Sequence, residues 1–389
     1  DTIGNLVDTL SSEYPTYHHY SGWAEQNPGD WYHTMCRLLK EMRPAEKGNL
    51  LSVALDSYTH GAVLLDKKQK VIRPTIIWTD QRSTTESGYL LDNYGDMIFK
   101  TAFQMPAPTW TLPQMLWLSK HEAESYSRIH HISFVKDYVR YLLTGNMACD
   151  TIEAQGTLFW DMTESRWSED LCALANIPLD ALPETASPTE MAGKVTFASS
   201  QETGLPTGLP VVMGTSDSAI EAFGAGAVNP GQCILKLATA GNVNIMTNSA
   251  KPHLRTLTYS HVVPGMWYTV SATNAAAVCQ RWYRNASGNE SFQELNELAT
   301  ASPCGSKGIF FHPYLMGERS PYWDSDLRGS FTGLSMRAGR EDMSRAVLEG
   351  VAYSLKDCYR SLEEMGLTAN QGILIGGGAK SDLWCQIVS

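Results

Sequence analysis

Two kinds of segment alternate along this chain: short apolar runs, and longer stretches in which an apolar residue recurs every three or four positions. Residues 62–65 and 132–135 are short apolar runs of the kind that form buried strands. Residues 112–120 and 138–143 have the spacing of helices, and Gly145 follows the second as a typical C-terminal cap. This alternation of strands and helices predicts an α/β fold.

The same pattern extends over the rest of the chain. Further strands are predicted at residues 51–55, 71–78, 211–213, 233–238 and 243–246, and further helices at residues 219–226 and 341–365. The turn-forming residues Asn229, Pro230 and Gly231 precede a new block of strands. We therefore predict two domains, residues 1–229 and residues 230–389.

Composition fits two globular domains and limits the partners. The chain has 389 residues, of which 43% are hydrophobic and 18% are charged, so large cores are expected and disorder is not. A net charge of −11, without a cluster of Lys and Arg, argues against nucleic acid or an anionic membrane as partner. No apolar run approaches the roughly 18–20 residues that span a bilayer. Eight dispersed cysteines without metal-ligand spacing predict a reduced, cytoplasmic protein.

The first position that could carry chemistry is Asp217, which follows the predicted strand 211–213 after a short turn. An Asp at a helix start ordinarily accepts hydrogen bonds from backbone N–H groups, as an N-cap. In open α/β sheets, however, ligands bind beyond the carboxyl ends of strands. The alternative is therefore a carboxylate that orients an attacking hydroxyl and accepts its proton. A hydrolase nucleophile elbow is not favoured, because Ser218 stands where that motif needs Gly.

Two turns of small residues are candidates for phosphate binding. Thr239 and Gly241 lie between two predicted strands, where backbone N–H groups and a hydroxyl can approach a phosphate, although a plain β-hairpin of this composition is equally common. The triple glycine 376–378 follows a strand and precedes a helix start, which favours a phosphate or nucleotide. It is not a Walker A loop, since Leu374 and Ala379 stand where that pattern needs glycines. A tight turn without a ligand is the alternative.

Polar residues beside two strands in the first half of the chain could bind a polyol. Thr59 and His60 follow one predicted strand, and Asp80 and Arg82 follow another. Such mixed donors and acceptors suit sugar hydroxyls. A lone His or an Arg–Asp pair is more often structural, so this alternative stays open.

Several segments, in chain order, resemble motifs of the FGGY carbohydrate kinases. They are G-W-A-E-Q-N-P at 22–28, a G-x-x-D element at 214–226, P-Y-L-M-G-E-R-S-P at 313–321, G-S-F-T-G-L at 329–334 with D-M-S-R-A-V-L-E at 342–349, and G-G-G-A-K-S at 376–381. The likeness runs over essentially the whole chain. It is closest to the branch of the family that phosphorylates xylulose.

The resemblance implies two actin-like, ribonuclease-H-like ATPase domains with a cleft between them, residues 1–229 for the sugar and residues 230–389 for ATP. It implies ATP- and Mg²⁺-dependent phosphorylation of a ketopentose, D-xylulose first, with small-molecule substrates as partners. The ligands of Mg²⁺ are not assigned, and a homodimer is left open. The implied roles are a general base at Asp217, further sugar contacts at Thr59, His60, Asp80 and Ser218, and nucleotide contacts at Thr239, Gly241, Gly377, Gly378 and Ala379.

The chain departs from the family pattern at several positions. Gln114 stands where the family has Lys, and Tyr58-Thr59 replaces Gln-Met before His60. The resemblance also leads us to expect a first, glycine-rich phosphate loop and a final helical portion that are absent from these residues. A kinase for another pentulose, a polyol or gluconate, and a non-catalytic sensor of sugar or ATP, are therefore retained as alternatives.

Overall fold

The first 221 residues and the remaining 168 form separate units in the computed structural model of the chain. They are Asp1–Glu221, here the N-unit, and Ala222–Ser389, here the C-unit. The predicted boundary at residue 229 lies a few residues later, in the loop before the first strand of the C-unit. The structure describes residues 1–288, 290–324 and 326–389, without the side chain of Lys47.

The N-unit consists of short strands and helices in alternation. Its strands are β1 (Glu25–Gln26), β2 (Asp56–Ser57), β3 (Ala62–Leu65), β4 (Thr75–Ile76), β5 (His131–Phe134), β6 (Ala148–Asp150), β7 (Trp160–Asp161), β8 (Arg166–Trp167), β9 (Glu184–Ala186), β10 (Met191–Lys194), β11 (Pro210–Val212) and β12 (Thr215–Ser216). Its helices are α1 (Pro28–Met42), α2 (Pro44–Lys47), α3 (Thr84–Ala102), α4 (Thr111–His121), α5 (Ala123–Ser127), α6 (Val135–Thr144), α7 (Thr151–Gln155), α8 (Glu169–Leu174), α9 (Phe197–Thr203) and α10 (Asp217–Gly224), the last of which ends in the C-unit.

The core of the N-unit forms around β3, which is buried at all four positions and pairs antiparallel with β5. Apolar side chains of α1 and α6 pack into the same cluster as Val63 and Leu65. As predicted, α6 ends at Gly145, whose left-handed backbone (φ 76°) directs its N–H to the carbonyl of Tyr141. The strand at 62–65 and the helices at 112–120 and 138–143 are thus confirmed.

Two strand predictions in the N-unit are wrong in extent. Only Thr75–Ile76 of residues 71–78 forms a strand, because Pro74 has no N–H to donate to a ladder. Residues 51–55 pair only through Val53, which bridges to Val211 in parallel. Pairing resumes where Asp56 lies opposite Thr215. The segment 211–215 is therefore one residue longer than the segment 53–56 that it faces, and Gly214 forms a bulge.

The C-unit is built on one five-stranded sheet, in the order β15–β16–β14–β13–β19. All of its neighbours run antiparallel except β13 and β19, which are parallel. Its elements are β13 (Gln232–Leu237), β14 (Gly241–Thr247), β15 (Leu257–Ser260), β16 (Trp267–Thr273), α11 (Ala277–Ser287), α12 (Phe292–Ala301), β17 (Phe310–His312), β18 (Ser330–Thr332), α13 (Arg340–Glu363), β19 (Gln371–Ile375) and α14 (Asp382–Val388).

The long helix α13 supplies the centre of the C-unit core. Val347, Val351, Leu355 and Leu362 lie on its buried face, at 2% exposure or less, which confirms the helix predicted from apolar spacing at 341–365. Val243 of the predicted strand 243–246 belongs to the same cluster. The three-residue 238–240 turn joins β13 to β14 in an antiparallel hairpin.

Among the described residues, no helix is both long and apolar enough to cross a membrane. All eight cysteines are free thiols, and only Cys304 is exposed.

Candidate functional site

The parallel pair β2–β12 brings the first group of predicted site residues to one edge of the N-unit. Asp56 pairs with Thr215 and Ser57 with Ser216, so the residues that follow the two strands lie side by side. Strand β2 continues into the segment that holds Thr59 and His60, and β12 continues into α10. Because the carboxyl ends of parallel strands are the usual place for ligands in α/β sheets, this edge is the candidate sugar site.

Asp217 is the first residue of α10, not its cap. The hydroxyl of Ser216 accepts the N–H of Ala219 at 3.4 Å, so the capping role belongs to Ser216. The half-buried carboxylate of Asp217 accepts the N–H of Ser218 at 2.6 Å and its hydroxyl at 3.2 Å. Ser218 therefore orients the carboxylate, and a helix cap alone does not explain the Asp at this position.

His60 is held in one tautomer. Its Nδ1 faces the carbonyl oxygen of Gly156, and since a carbonyl only accepts, Nδ1 carries the hydrogen. Burial lowers the pKa of His60 to about 4 against the opposing effect of that hydrogen bond, so the ring is neutral at physiological pH and Nε2 offers a lone pair. The ring lies 4.4 Å from Trp110, and the backbone has a left-handed φ of 78°. Such strain in a non-glycine residue is typical of functional segments.

The segment after α7 packs against the second predicted sugar contact. A Cβ added to Gly156 would come within 3.0 Å of the Cβ of Thr59, so only glycine fits without displacement of this chain. Gly156 thus holds Thr59 by packing and His60 by a hydrogen bond. The turns around residues 59 and 156 are fixed to each other at the same edge as Asp217.

A cluster of buried charges lies behind this edge. The Nζ atom of Lys136 is 2.7 Å from Asp137 and 2.6 Å from Asp150, and all three side chains are fully buried. Burial alone would lower the pKa of Lys136, but the surrounding carboxylates reverse that effect and raise it, so the ammonium stays charged. Arg140 donates to Asp137 as well.

This cluster is tied to the turn that presents Asp217. The hydroxyl of Thr215 donates to Asp150 at 2.8 Å, and Arg140 donates to the carbonyl of Met213 at 2.9 Å. Burial raises the pKa of Glu153 well above its usual value; Lys136 opposes this shift, and the neighbouring carboxylates, Asp217 among them, add to it. Met213 and Thr215, which precede Asp217, are therefore anchored to buried ionic groups.

Asp80 occupies a different environment from the other predicted sugar contacts. Its carboxylate is fully buried, accepts the N–H of Ala24 at 2.5 Å and pairs with the guanidinium of Arg82 at 2.8 Å. Arg82 also contacts Glu25 and stacks 3.7 Å above the ring of Trp23. This is the geometry of a structural ion pair, and direct contact of Asp80 with a sugar stays a prediction.

The predicted nucleotide contacts meet at one edge of the C-unit sheet. Thr239 lies in the hairpin turn that follows β13, and the glycines 376–378 follow β19, which is parallel to β13. A Cβ on Gly378 would come within 2.8 Å of the Cβ of Leu237 and 3.1 Å of the ring of Trp384. The two turns therefore pack directly on each other, and the glycines allow that close approach.

A cavity of about 530 Å³ opens at this edge, within the range of small-molecule sites. It is lined by Ala238, Thr239, Ala277, Val278, Gln280, Arg281, Phe292, Asn296, Gly377, Gly378, Lys380, Ser381 and Trp384. Three of the five predicted nucleotide contacts are thus in its wall, while Gly241 and Ala379 are adjacent in the chain. Phe292 offers an exposed apolar ring, whereas Trp384 is only 1% exposed and packs beneath Gly378; Arg281 and Lys380 offer positive charge.

The buried carboxylates Asp137, Asp150 and Glu153 bring their oxygens within 4.8 Å of one another. They do not fit a divalent cation, because the ammonium of Lys136 already lies among them, within hydrogen-bond distance of Asp137 and Asp150 and 4.0 Å from Glu153. Asp217 fits better, since its half-buried carboxylate is of the hard oxygen type that Mg²⁺ prefers.

The sequence pattern did not indicate several of these residues. Lys136, Asp150 and Glu153 are scattered over two helices and a strand, and only the fold brings them together. Gln280 and Asn296 hydrogen-bond to each other at 2.8 Å in the cavity wall from separate helices. Neither set has a spacing that could have identified it.

Comparison with known proteins places both units in one family. Residues 1–224 match the N-terminal domain of the FGGY family of carbohydrate kinases, and residues 237–389 match the C-terminal domain of the same family. The predicted two-domain α/β fold and the carbohydrate kinase class are confirmed by these matches.

Several relatives found by this comparison are xylulose kinases, and a gluconokinase of Bacillus subtilis, 27% identical over 99% of this chain, is also among them. The xylulose kinase of Staphylococcus epidermidis is 31% identical over 397 residues, which cover all of this chain and 78% of the relative. That of Lactococcus lactis is 34% identical over 395 residues, 98% of this chain and 77% of the relative. The crystal structure of xylulose kinase from Rhodospirillum rubrum has 29% identity and a TM-score of 0.87, over 98% of this chain and 78% of that one.

Proposed function

The chain belongs to the FGGY family of carbohydrate kinases, and from that membership we propose that it transfers the γ-phosphoryl group of ATP to the primary hydroxyl of D-xylulose, giving D-xylulose 5-phosphate. Phosphorylation of a sugar by ATP is what the family does; the sugar and the residues below are the proposal. The observation that carries the proposal is the parallel pairing of β2 with β12, which directs Asp217 and the His60 segment to one edge.

Asp217 is the proposed general base. Its carboxylate accepts the proton of the sugar hydroxyl as the hydroxyl oxygen attacks the γ-phosphorus and the bond to the β–γ bridging oxygen breaks. Phosphoryl transfer asks mainly for positioning, so one oriented carboxylate is sufficient. Ser218, which donates its N–H and its hydroxyl to Oδ1 of Asp217, keeps the carboxylate in one orientation.

His60 and Thr59 are the proposed sugar contacts beside the base. The neutral ring of His60 presents Nε2 as an acceptor for a sugar hydroxyl, since Nδ1 is committed to Gly156. A cationic His could only donate, and the depressed pKa excludes that form at neutral pH. Thr59 adds a hydroxyl that can donate or accept.

The C-unit cavity is the proposed ATP site. The hydroxyl and backbone of Thr239 would contact phosphate, while the 377–379 turn and the ring of Phe292 would contact adenosine. Mg²⁺ bound with ATP would neutralise charge on the phosphates. The acidic net charge is no obstacle, because Arg281 and Lys380 supply local positive charge.

We place the protein in the cytoplasm, which its eight free thiols support.

The proposed base is tested with Asp217→Asn, which preserves shape and removes the proton acceptor. We expect kcat for D-xylulose to fall by at least about 100-fold, in line with general-base catalysis, with little change in sugar affinity. Asp170→Asn is the matched control, because Asp170 is an exposed acid in the first turn of another N-unit helix. Retained turnover in Asp217→Asn would overturn the assignment of the base.

The proposed substrate is tested by ADP release with D-xylulose, other pentuloses, glycerol and gluconate. We expect the highest kcat/KM for D-xylulose. A higher value for another compound would assign the enzyme to that substrate. No sugar-dependent ADP release with any of them, together with ATP binding, would favour the sensor instead.

A further inference from the structure

The segment P-Y-L-M-G-E-R-S-P at 313–321 resembles a family motif, yet none of its residues is among those that line the C-unit cavity. Within it, Glu318 is an acidic side chain only 4% exposed. Burial of a carboxylate is costly unless it accepts several hydrogen bonds. The contacts of Glu318 therefore show what the segment is built to hold.

Glu318 binds the end of β16. Its Oε2 accepts the hydroxyl of Thr273 at 2.5 Å, and its Oε1 accepts the N–H groups of Asn274 at 2.8 Å and Arg319 at 2.7 Å. The N–H of Ser320 adds a bond to the carbonyl of Ala272 at 3.1 Å. The segment is thus fixed to the last residues of one strand.

That strand end lies directly against the proposed phosphate turn. Thr273 pairs with Gly241 in the sheet, and a Cβ on Gly241 would come within 3.0 Å of the Thr273 methyl group. The loop after β16 continues the contact, because Ala276 donates its N–H to the carbonyl of Thr239 at 2.9 Å and Ala277 donates to Ala238 at 2.7 Å.

We propose that Glu318 is a positioning residue for nucleotide binding: it fixes the rotamer of Thr273 and the path of residues 274–277, and these hold the 238–241 turn in the shape that contacts the phosphates of ATP. The inference rests on the proposed function of that turn. Glu318 itself touches neither nucleotide nor sugar.

The chain contains a matched control for this idea. Glu349 on α13 is also 4% exposed, and it accepts one backbone N–H, from Gly305, one hydroxyl, from Ser306, and the Nε–H of Arg345 at 2.7 Å. None of these partners is in the cavity wall. Loss of Glu349 therefore reproduces the structural cost of removing a buried, hydrogen-bonded carboxylate without touching the phosphate turn.

The test is calorimetric titration of the full chain with ATP plus Mg²⁺ and, separately, with adenosine. We expect Glu318→Ala to weaken ATP binding roughly tenfold, because unsatisfied donors let the turn relax, while adenosine binding changes little. Glu349→Ala should leave both affinities unchanged. Glu318→Gln should stay close to wild type, since its amide oxygen can accept both N–H groups and its NH₂ can donate to Thr273.

If Glu318→Ala does not fold, Thr273→Val decides, because it removes the single hydroxyl and keeps the methyl group against Gly241. Thr273→Val should weaken the binding of ATP, by less than Glu318→Ala does, and should leave the binding of adenosine unchanged. Unchanged ATP affinity in these variants, or equal losses in Glu349→Ala, would overturn the proposal. So would a wild-type chain that does not bind ATP. A chain that binds ATP as expected but phosphorylates no sugar would refute the proposed function while the titrations still decide the role of Glu318.

Discussion

The two units hold their functional turns by different means. In the N-unit, the turn before Asp217 is anchored to fully buried ions, with Lys136, Asp150 and Arg140 as its main supports. In the C-unit, the turn around Thr239 is held by backbone hydrogen bonds and by glycines that permit close packing.

The difference corresponds to the role that we propose for each turn. A carboxylate that accepts a proton must keep one orientation, and a buried ionic network fixes orientation at a high cost in desolvation. A phosphate-binding turn has to leave N–H groups and space available, which small residues provide. The comparison predicts that the N-unit is sensitive to loss of charge and the C-unit to added volume.

Loss of a buried charge should give the largest effect. Lys136→Met leaves Asp150 without its cation and Asp137 with Arg140 alone, and we expect the N-unit to lose about 3–5 kcal/mol of unfolding free energy. Lys307→Met is the counterpart in the C-unit, where the half-exposed Lys307 pairs with Asp342, and it should cost much less. Urea unfolding measures the loss, and hydrogen exchange assigns it to a unit. Equal losses would refute the comparison.

Added volume at the phosphate turn comes next. Gly241→Ala would bring a methyl group to 3.0 Å from side chains of Ala276, Leu355 and Thr273, so we expect a loss of about 1–3 kcal/mol and weaker ATP binding. In Gly372→Ala the new Cβ meets only Leu235, at 3.5 Å, and both stability and ATP affinity should be nearly unchanged. Thermal unfolding and ATP titration separate the two variants. A tolerated Gly241→Ala would show that the turn has room to spare.

A smaller effect is expected where one hydroxyl links the ionic cluster to the turn before the base. Thr215→Val removes the bond to Asp150, and we expect about 1 kcal/mol of destabilisation with a fall in kcat but little change in KM for ATP. Ser133→Ala is the control, because its buried hydroxyl finds no hydrogen-bond partner among the described residues. Steady-state kinetics and urea unfolding check both. A fall in kcat for Ser133→Ala as well would remove the link to Asp217.

The last effect is absent at neutral pH and concerns the stability contribution of His60 in the N-unit. The pKa of His60 is lowered to about 4, so the unfolded chain takes up its proton near pH 6.5 while the folded protein does not. His60 thus favours the native state fully above pH 6.5, and this contribution is lost as pH falls toward 4. Wild type should therefore lose more stability than His60→Gln between pH 7 and 4.5, by urea unfolding. Parallel curves would refute the lowered pKa.

His60 of the N-unit and His261 of the C-unit, whose pKa values are both lowered by burial, should also differ in tautomer. Nδ1 of His60 donates to a carbonyl, whereas Nδ1 of His261 accepts the N–H of Val263 at 3.0 Å. Nitrogen NMR shifts should show hydrogen on Nδ1 in His60 and on Nε2 in His261. The reverse assignment for His60 would remove its proposed role as an acceptor through Nε2.

Local patterns in the sequence were sufficient for much of the fold. Residues 62–65 form a strand with the predicted bounds, and the apolar stripe of α13 is buried as its period predicts. These features depend on residues close in sequence, which hydrophobic spacing reports directly. The strand predicted at 71–78 failed because hydrophobicity alone does not register the missing donor of Pro74.

The candidate site was predictable only where motifs mark it. Asp217, His60 and the turns at 239 and 377 stand in segments that resemble the family, and so does Glu318, whereas Lys136 and Asp150 do not. Lys136 on α6 contacts Asp150 at the end of β6, and Glu318 contacts Thr273, which is 45 residues away in the sequence. Contacts of this kind depend on tertiary structure, which spacing along the chain does not report.

The parallel pairing of β13 with β19 has a consequence for the order of folding. The side chains of Gln232 and Gln371 hydrogen-bond across 139 residues, whereas the β13–β14 hairpin closes over a three-residue turn. Contacts of low sequence separation form fast and those of high separation slowly, because loop closure costs entropy. The phosphate turn therefore exists early, and the glycine turn after β19 joins it late. During synthesis, the cavity cannot be complete until the ribosome has released the residues of β19 and the turn that follows it.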